Sequence, residues 1–237
     1  MIRDLGAVVF DLDDTLHNDT HAYQSAACDV AEEIGKAHNV SAQTIFDSYI
    51  EHTSRYWRAL SAEHLNTPIA DSRYELWAAA LRSVGIDDDA TTQAAARRYG
   101  ERRRSYYTPF PGTLELLDAL HERGLKLGLI TNGFAETHYE KLELLGLGAS
   151  FDAVICADEV GMVKPDPKIF LHACELLATP PSRSVMVGDR YFRDIVGARS
   201  AGLFTVYIDV HSEPIPPNEA PDVRVKGIQE VLKVLLP

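Results

Sequence analysis

Two rhythms of apolar and polar positions run along the chain. Ala7-Val8-Val9-Phe10 is an unbroken β-favouring run closed by Asp11, the pattern of a strand buried on both faces. Residues 11–18 are dense in turn formers. From about 20 to 105 apolar residues recur at three and four. Tyr23, Ala27, Val30, Ala31 and Ile34 mark one helix, and Ile45, Tyr49, Ile50, Tyr56 and Trp57 a second. Tyr74, Trp77, Ala78 and Leu81 mark a third ended by Gly85, and 90–106 reads as a fourth. After Pro109-Phe110-Pro111-Gly112 the rhythm changes to helix 113–122, strand 126–130, helix 136–145, strand 151–156, helix 167–177, strand 184–187, helix 193–200, strand 204–208 and helix 228–235. Residues 211–220, with Pro214, Pro216 and Pro217, read as a loop.

Strands alternating with helices over short connections predict a parallel sheet covered on both faces. The first strand has the same buried character but is separated from the rest by the helical stretch. The expected fold is a doubly wound, Rossmann-like α/β core made of 1–16 and 108–237, with an all-helical insertion over 17–107.

Composition narrows the class. The chain has 237 residues with 46% hydrophobic content, too apolar for a disordered protein and long enough for one domain carrying an insertion. Its 23 basic and 35 acidic side chains give a net charge of −12, which argues against a nucleic-acid partner. The basic run Arg97-Arg98 with Arg102-Arg103-Arg104 contains Glu101 and reads as a solvated helix face. Cys28, Cys156 and Cys174 are an odd set without CxxC spacing, so reduced thiols and a cytoplasmic location are expected. With no apolar run of membrane-spanning length, neither a membrane partner nor modification of the sequon Asn39-Val40-Ser41 is expected.

In open parallel sheets ligands sit at the carboxyl ends of strands. After the first strand come Asp11-Leu12-Asp13-Asp14-Thr15. After Ile130 come Thr131-Asn132-Gly133. After Cys156 come Asp158, Glu159 and then Lys164-Pro165-Asp166-Pro167. After Val187 come Gly188-Asp189 and, five residues on, Asp194. Any one of these could simply cap the next helix, as Asp166 is expected to do; Asp14 is expected either to do only that or to hold the loop. Together, Asp11, Asp13, Asp189 and Asp194 crowd negative charge that needs compensation by Lys164 and a bound cation. Oxygen-only donors favour Mg2+ over zinc. Mg2+, Lys164 and Thr131 suit a phosphoryl group. Asp11 is then the candidate nucleophile and Asp13 the candidate acid and base, its pKa expected to be raised by neighbouring negative charge.

Asp11-Leu12-Asp13-Asp14-Thr15, Thr131, Lys164 and Gly188-Asp189 through Asp194 resemble, in order, the four motifs of the haloacid dehalogenase-like hydrolase superfamily. The stretches Thr131-Asn132-Gly133-Phe134, Glu159-Val160-Gly161 and Lys164-Pro165 through Lys168-Ile169-Phe170 are similar to its nucleoside-monophosphate and acylneuraminate phosphatases. The resemblance implies Mg2+ held by Asp11, the main chain of Asp13 and Asp189, with Asp194 a ligand through water or an orienting group. It implies a phosphate held by Leu12, Asp13, Thr131, Asn132 and Lys164. It also makes 17–107 a helical cap over a small phosphorylated substrate, hinged near 17–19 and 107–111, with Arg55, Tyr56, Trp57, Arg58 and Trp77 as candidate contacts; Trp57 and Trp77 could instead form the cap's own core, the reading preferred for Trp77. Monomer and dimer stay open. Arg190 and Arg193 depart from the pattern, since many relatives carry small or acidic residues there; pairing with surface acids is expected of them, with added positive field near the phosphate as the alternative.

Three other readings fit the residues less well. A haloacid dehalogenase uses the nucleophilic aspartate but has no alkoxide to protonate, so Asp13 favours phosphate. A phospho-accepting receiver domain is half this length. A non-catalytic phosphate-binding protein would tolerate loss of Asp13 or Lys164, and both are present. No P-loop, GxSxG or HExxH occurs, and among the nine histidines only His17, near the first motif, is expected to matter.

Overall fold

The computed structural model describes residues 4–61 and 68–236; positions 62–67 of the expected helical stretch lie outside them. The chain divides into two compact units, Met1–Asn18 with Thr108–Pro237, and Asp19–Tyr107.

The first unit is a six-stranded parallel sheet in the order β3-β2-β1-β4-β5-β6. Its strands are β1 (Ala7–Phe10), β2 (Lys126–Thr131), β3 (Ala153–Cys156), β4 (Ser184–Gly188), β5 (Phe204–Ile208) and β6 (Val223–Val225). The doubly wound α/β architecture expected from the sequence is therefore present. All four β1 residues are fully buried because β2 and β4 flank it and helices cover both faces. Ala7 and Val9 meet Ile169, Phe170, Ala173 and Leu177 in one core layer; Val8 and Phe10 point to the other side by alternation.

Beyond shifts of one or two residues at element ends, three elements differ from the sequence expectation. β6 pairs Val206 with Val223 beside the expected loop, but Val-Arg-Val is too short to show a period of two. The helix expected over 193–200 starts earlier, as a π-helical turn over Tyr191–Val196, and continues as an α-helical turn over Gly197–Ser200. A short helix over Ala157–Val160 follows β3 directly. The two helices used below follow β2 and Asp166: Ala135–Leu144 and Pro167–Leu176.

The second unit holds four helices, α1 (Asp19–His38), α2 (Ala42–Arg58), α3 (Ile69–Ser83) and α4 (Asp89–Ser105). Trp77 is fully buried in its core and stacks on Tyr49 at 4.0 Å between ring centroids. The basic face of α4 is matched by acids of α1: Arg98 lies 2.8 Å from Glu33, and Arg102 lies 3.2 Å from Asp29. Arg55 pairs with Glu51 at 2.6 Å, Tyr56 meets Ser72 at 3.2 Å, and Trp57 packs edge-on against Tyr56. Arg58 donates to the Ser54 carbonyl at 3.2 Å. Among the described residues no helix is long and apolar enough to cross a membrane. Cys28, Cys156 and Cys174 are unpaired, and burial pushes the Cys156 thiol up to about 12, leaving it inert.

Candidate active site

The strand order reverses between β1 and β4, the switch point where open α/β sheets bind ligands. Parallel register levels the strand ends. Phe10 lies opposite Leu129 and Val187, and the Asp11 N–H donates to the Val187 carbonyl at 3.0 Å. Asp11, Thr131 and Gly188-Asp189 are thereby delivered to one rim.

Lys164 is buried, and its Nζ lies 2.5 Å from Asp11 Oδ1, 2.7 Å from Asp194 Oδ1 and 3.0 Å from the Ile130 carbonyl. The Asp166 carboxylate caps the next helix at Lys168 N, 2.9 Å away, as expected. Asn132 clamps the Lys164 loop: its amide donates to the Lys164 carbonyl at 2.9 Å and accepts from the Lys164 N–H at 2.7 Å. With that side chain committed and Leu12 fully buried, both residues have only their main chains to offer a phosphate. Thr131 is buried at the end of β2, where its hydroxyl accepts from Gly133 N at 3.1 Å.

Carboxylate oxygens of Asp11, Asp189 and Asp194 lie within 4.8 Å of one another, all three residues buried. Asp194 reaches this position because Gly188 has no Cβ; one built there would stand 2.5 Å from the Asp194 carboxyl carbon. Burial, followed by repulsion from Asp194, Asp189 and Asp13, holds Asp11 well above the usual carboxylate range against the pull of Lys164. Burial likewise raises Asp189, with Asp194 adding to it, while His211 and Arg190 pull the other way. Lys164 touches two of these three buried carboxylates, Asp11 and Asp194, and the all-oxygen donor set of the three fits a hard divalent cation.

Asp13 sits in the opposite environment. Lys141 Nζ lies 2.5 Å and His17 Nε2 2.8 Å from its Oδ1, and His138 Nε2 lies 3.3 Å from its Oδ2. Burial would raise Asp13, but Lys141 and His138 outweigh it, and its carboxyl is held well below the usual range. The expectation of a raised pKa is corrected: the nearest charges are positive. His138 approaches because residue 133 is glycine; a Cβ there would fall 1.7 Å from the His138 ring. Asp14, at φ 62°, takes the left-handed conformation that closes the turn, its N–H donating to the His17 carbonyl at 2.9 Å.

Sequence reasoning missed Lys141, His138 and His211. His138 and Lys141 are three apart on the helix Ala135–Leu144 that follows Thr131, hence on one face. A buried lysine there reads from sequence as an exposed one. His211 follows β5 and obeys the strand-end rule already applied to the other strands. Arg190 does not pair only with surface acids, as expected; its Nε lies 3.2 Å from the fully buried Asp189.

The haloacid dehalogenase-like hydrolase family model matches residues 5–202. A glyceraldehyde 3-phosphate phosphatase of Methanopyrus kandleri is 33% identical over 97% of this chain and 96% of its own. The pyrimidine 5'-nucleotidase YjjG of Escherichia coli is 35% identical over 69% of each chain. The crystal structure of a 2-haloacid dehalogenase from Pseudomonas syringae superposes with a TM-score of 0.67 at 27% identity, covering 98% of both chains. The chain belongs to the haloacid dehalogenase-like hydrolases. Within that family it is an enzyme of the phosphatase kind.

Proposed function

We propose that the protein is a Mg2+-dependent phosphomonoester hydrolase of small phosphorylated metabolites, nucleoside monophosphates or sugar phosphates, acting through a phosphoryl group carried on Asp11. The observation that carries this reading is the division of labour between Asp11 and Asp13. One carboxylate lies among acids and a lysine. The other lies against a lysine and two histidines, Lys141, His138 and His17.

A cation held by Asp11, the Asp13 main chain and Asp189, with Asp194 behind them, would supply positive charge for the phosphate oxygens and keep Asp11 ionised. Lys164 and the Thr131 hydroxyl orient the phosphoryl group beside Asp11. An Asp11 oxygen forms a bond to phosphorus as the bond to the leaving oxygen breaks, and Asp13 hands that oxygen a proton. The ionised Asp13 then takes a proton from water, whose oxygen attacks phosphorus. The bond to Asp11 breaks, and inorganic phosphate leaves.

Asp13 is held as the carboxylate, the form needed for the second step. The proton Asp13 takes from water in that step is the one it hands to the leaving oxygen of the next substrate, so the cycle balances. A dehalogenase has no leaving alkoxide and no use for this arrangement. The glyceraldehyde 3-phosphate and nucleotide specificities of the named relatives support small substrates. We assign 19–107 the part of the substrate-selecting cap and place the enzyme in the cytoplasm on its unpaired thiols. The test is hydrolysis of p-nitrophenyl phosphate with and without Mg2+, followed by a panel of phosphorylated metabolites scored by kcat/KM. Turnover that needs Mg2+ supports the reading; failure on every phosphomonoester refutes it.

A further inference from the structure

Asp189 is fully buried, and both of its oxygens are engaged by the protein itself. The Thr15 hydroxyl donates to Oδ1 at 2.9 Å. Oδ2 lies 2.7 Å from His211 Nε2 and 3.2 Å from Arg190 Nε. The same guanidinium lies 3.7 Å from Asp14 and 3.6 Å from Glu213 Oε1. Glu213 is itself fixed, because its other oxygen accepts from the Tyr191 N–H at 2.9 Å at the start of the π-helical turn. Glu213 and His211 both come from the segment between β5 and β6.

An arginine cannot shed its charge. Against a carboxylate that would hold a divalent cation, it neutralises the negative charge the cation needs and repels the cation directly. We propose that Arg190 is a tethered rival of the divalent cation at Asp189, and that Glu213 tempers the rivalry by drawing the guanidinium from the other side. The inference rests on the reading of Asp11, Asp189 and Asp194 as the cation site. It makes Arg190 and Glu213 positioning residues that set how tightly the metal-free enzyme takes up its ion.

Mn2+ binding, followed by calorimetry and by the paramagnetic resonance of free Mn2+, tests this without turnover. Arg190→Gln should bind Mn2+ about ten- to a hundredfold more tightly than wild type. Glu213→Gln, which leaves the guanidinium to Asp189 and Asp14, should bind several-fold more weakly. Arg199→Gln removes an equal charge that the structure places on the Ala220 carbonyl, 2.7 Å away. It should stay within about twofold of wild type. Unchanged or weaker binding by a folded Arg190→Gln overturns the proposal. Should that variant fail to fold, unchanged or tighter binding by Glu213→Gln overturns it. A wild type that binds Mn2+ while these shifts are missing leaves the metal-dependent reading standing. Absence of binding in wild type and every variant refutes that reading instead.

Discussion

Asp11 and Asp13 are two residues apart in one turn, yet face two different media. On the Asp11 side buried acids outnumber the one lysine, and the carboxyl is driven upward. On the Asp13 side a buried lysine and two histidines converge, and the carboxyl is driven downward. Residue type is the same, so the environment alone separates the group we propose to receive phosphorus from the group we propose to handle protons. The separation is built by distant elements: β4 and the Lys164 loop serve one side, the helix Ala135–Leu144 the other.

The largest expected effect comes from removing the first partner. Asp11→Asn should lower turnover by roughly 10^5-fold or more, with the metal-free protein at neutral pH more stable than wild type, because a carboxyl of raised pKa is removed while Lys164 keeps Asp194. Steady-state rates and thermal melts check both halves. Asp13→Asn should instead destabilise by about 2–3 kcal/mol, measured by denaturant unfolding. It takes the Asp13 carboxylate from the buried Lys141, while the partial exposure of Asp13 softens the loss.

The two variants should also differ in sign with pH. The Asp11 pKa is raised in the folded state, so folding is penalised increasingly as pH climbs from the ordinary value of 3.8 through the raised one. Metal-free Asp11→Asn should therefore gain on wild type over that climb. The Asp13 pKa is lowered, so its contribution is present above 3.8 and is lost as pH falls through the lowered value. The deficit of Asp13→Asn should shrink in acid. Unfolding followed against pH in chelator decides both.

Smaller still, Gly133→Ala and Gly188→Ala should each cost about 1–3 kcal/mol of stability, by pushing His138 off Asp13 and Asp194 off Lys164. The first should disturb only the proton-handling side and the second only the nucleophile side, which kinetics with good and poor leaving groups will separate. Arg97→Ala, breaking the exposed 2.7 Å pair with Glu101, should shift stability by no more than about 0.5 kcal/mol.

Most of the sheet could be read from the chain because buried strands and short helices leave strong periodic marks. β1, β5 and the helix Ile228–Leu235 fall at the expected residues, and β2 and β4 each extend by one. β6 could not, since three residues next to a proline-rich loop carry no period. The acids at the strand ends were visible for a different reason: aspartate is a poor strand former, so its place there asks for a cause. Lys141 and His138 gave no such signal, because polar residues on a helix are unremarkable until the fold buries them. Their effect on Asp13 reverses the charge balance that local sequence suggested. Arg190 stood out as unusual, but its partner is a buried aspartate that only the fold brings within reach.

Quenching p-nitrophenyl phosphate turnover in acid and digesting the protein puts the division between the two carboxylates to the most direct trial. A single phosphoryl group should be found on the peptide carrying Asp11, absent in Asp11→Asn, and accumulating in Asp13→Asn when the leaving group is good. Phosphate release with that peptide never labelled, or with the label on another residue, would contradict the assignment of Asp11 as the phosphoryl carrier.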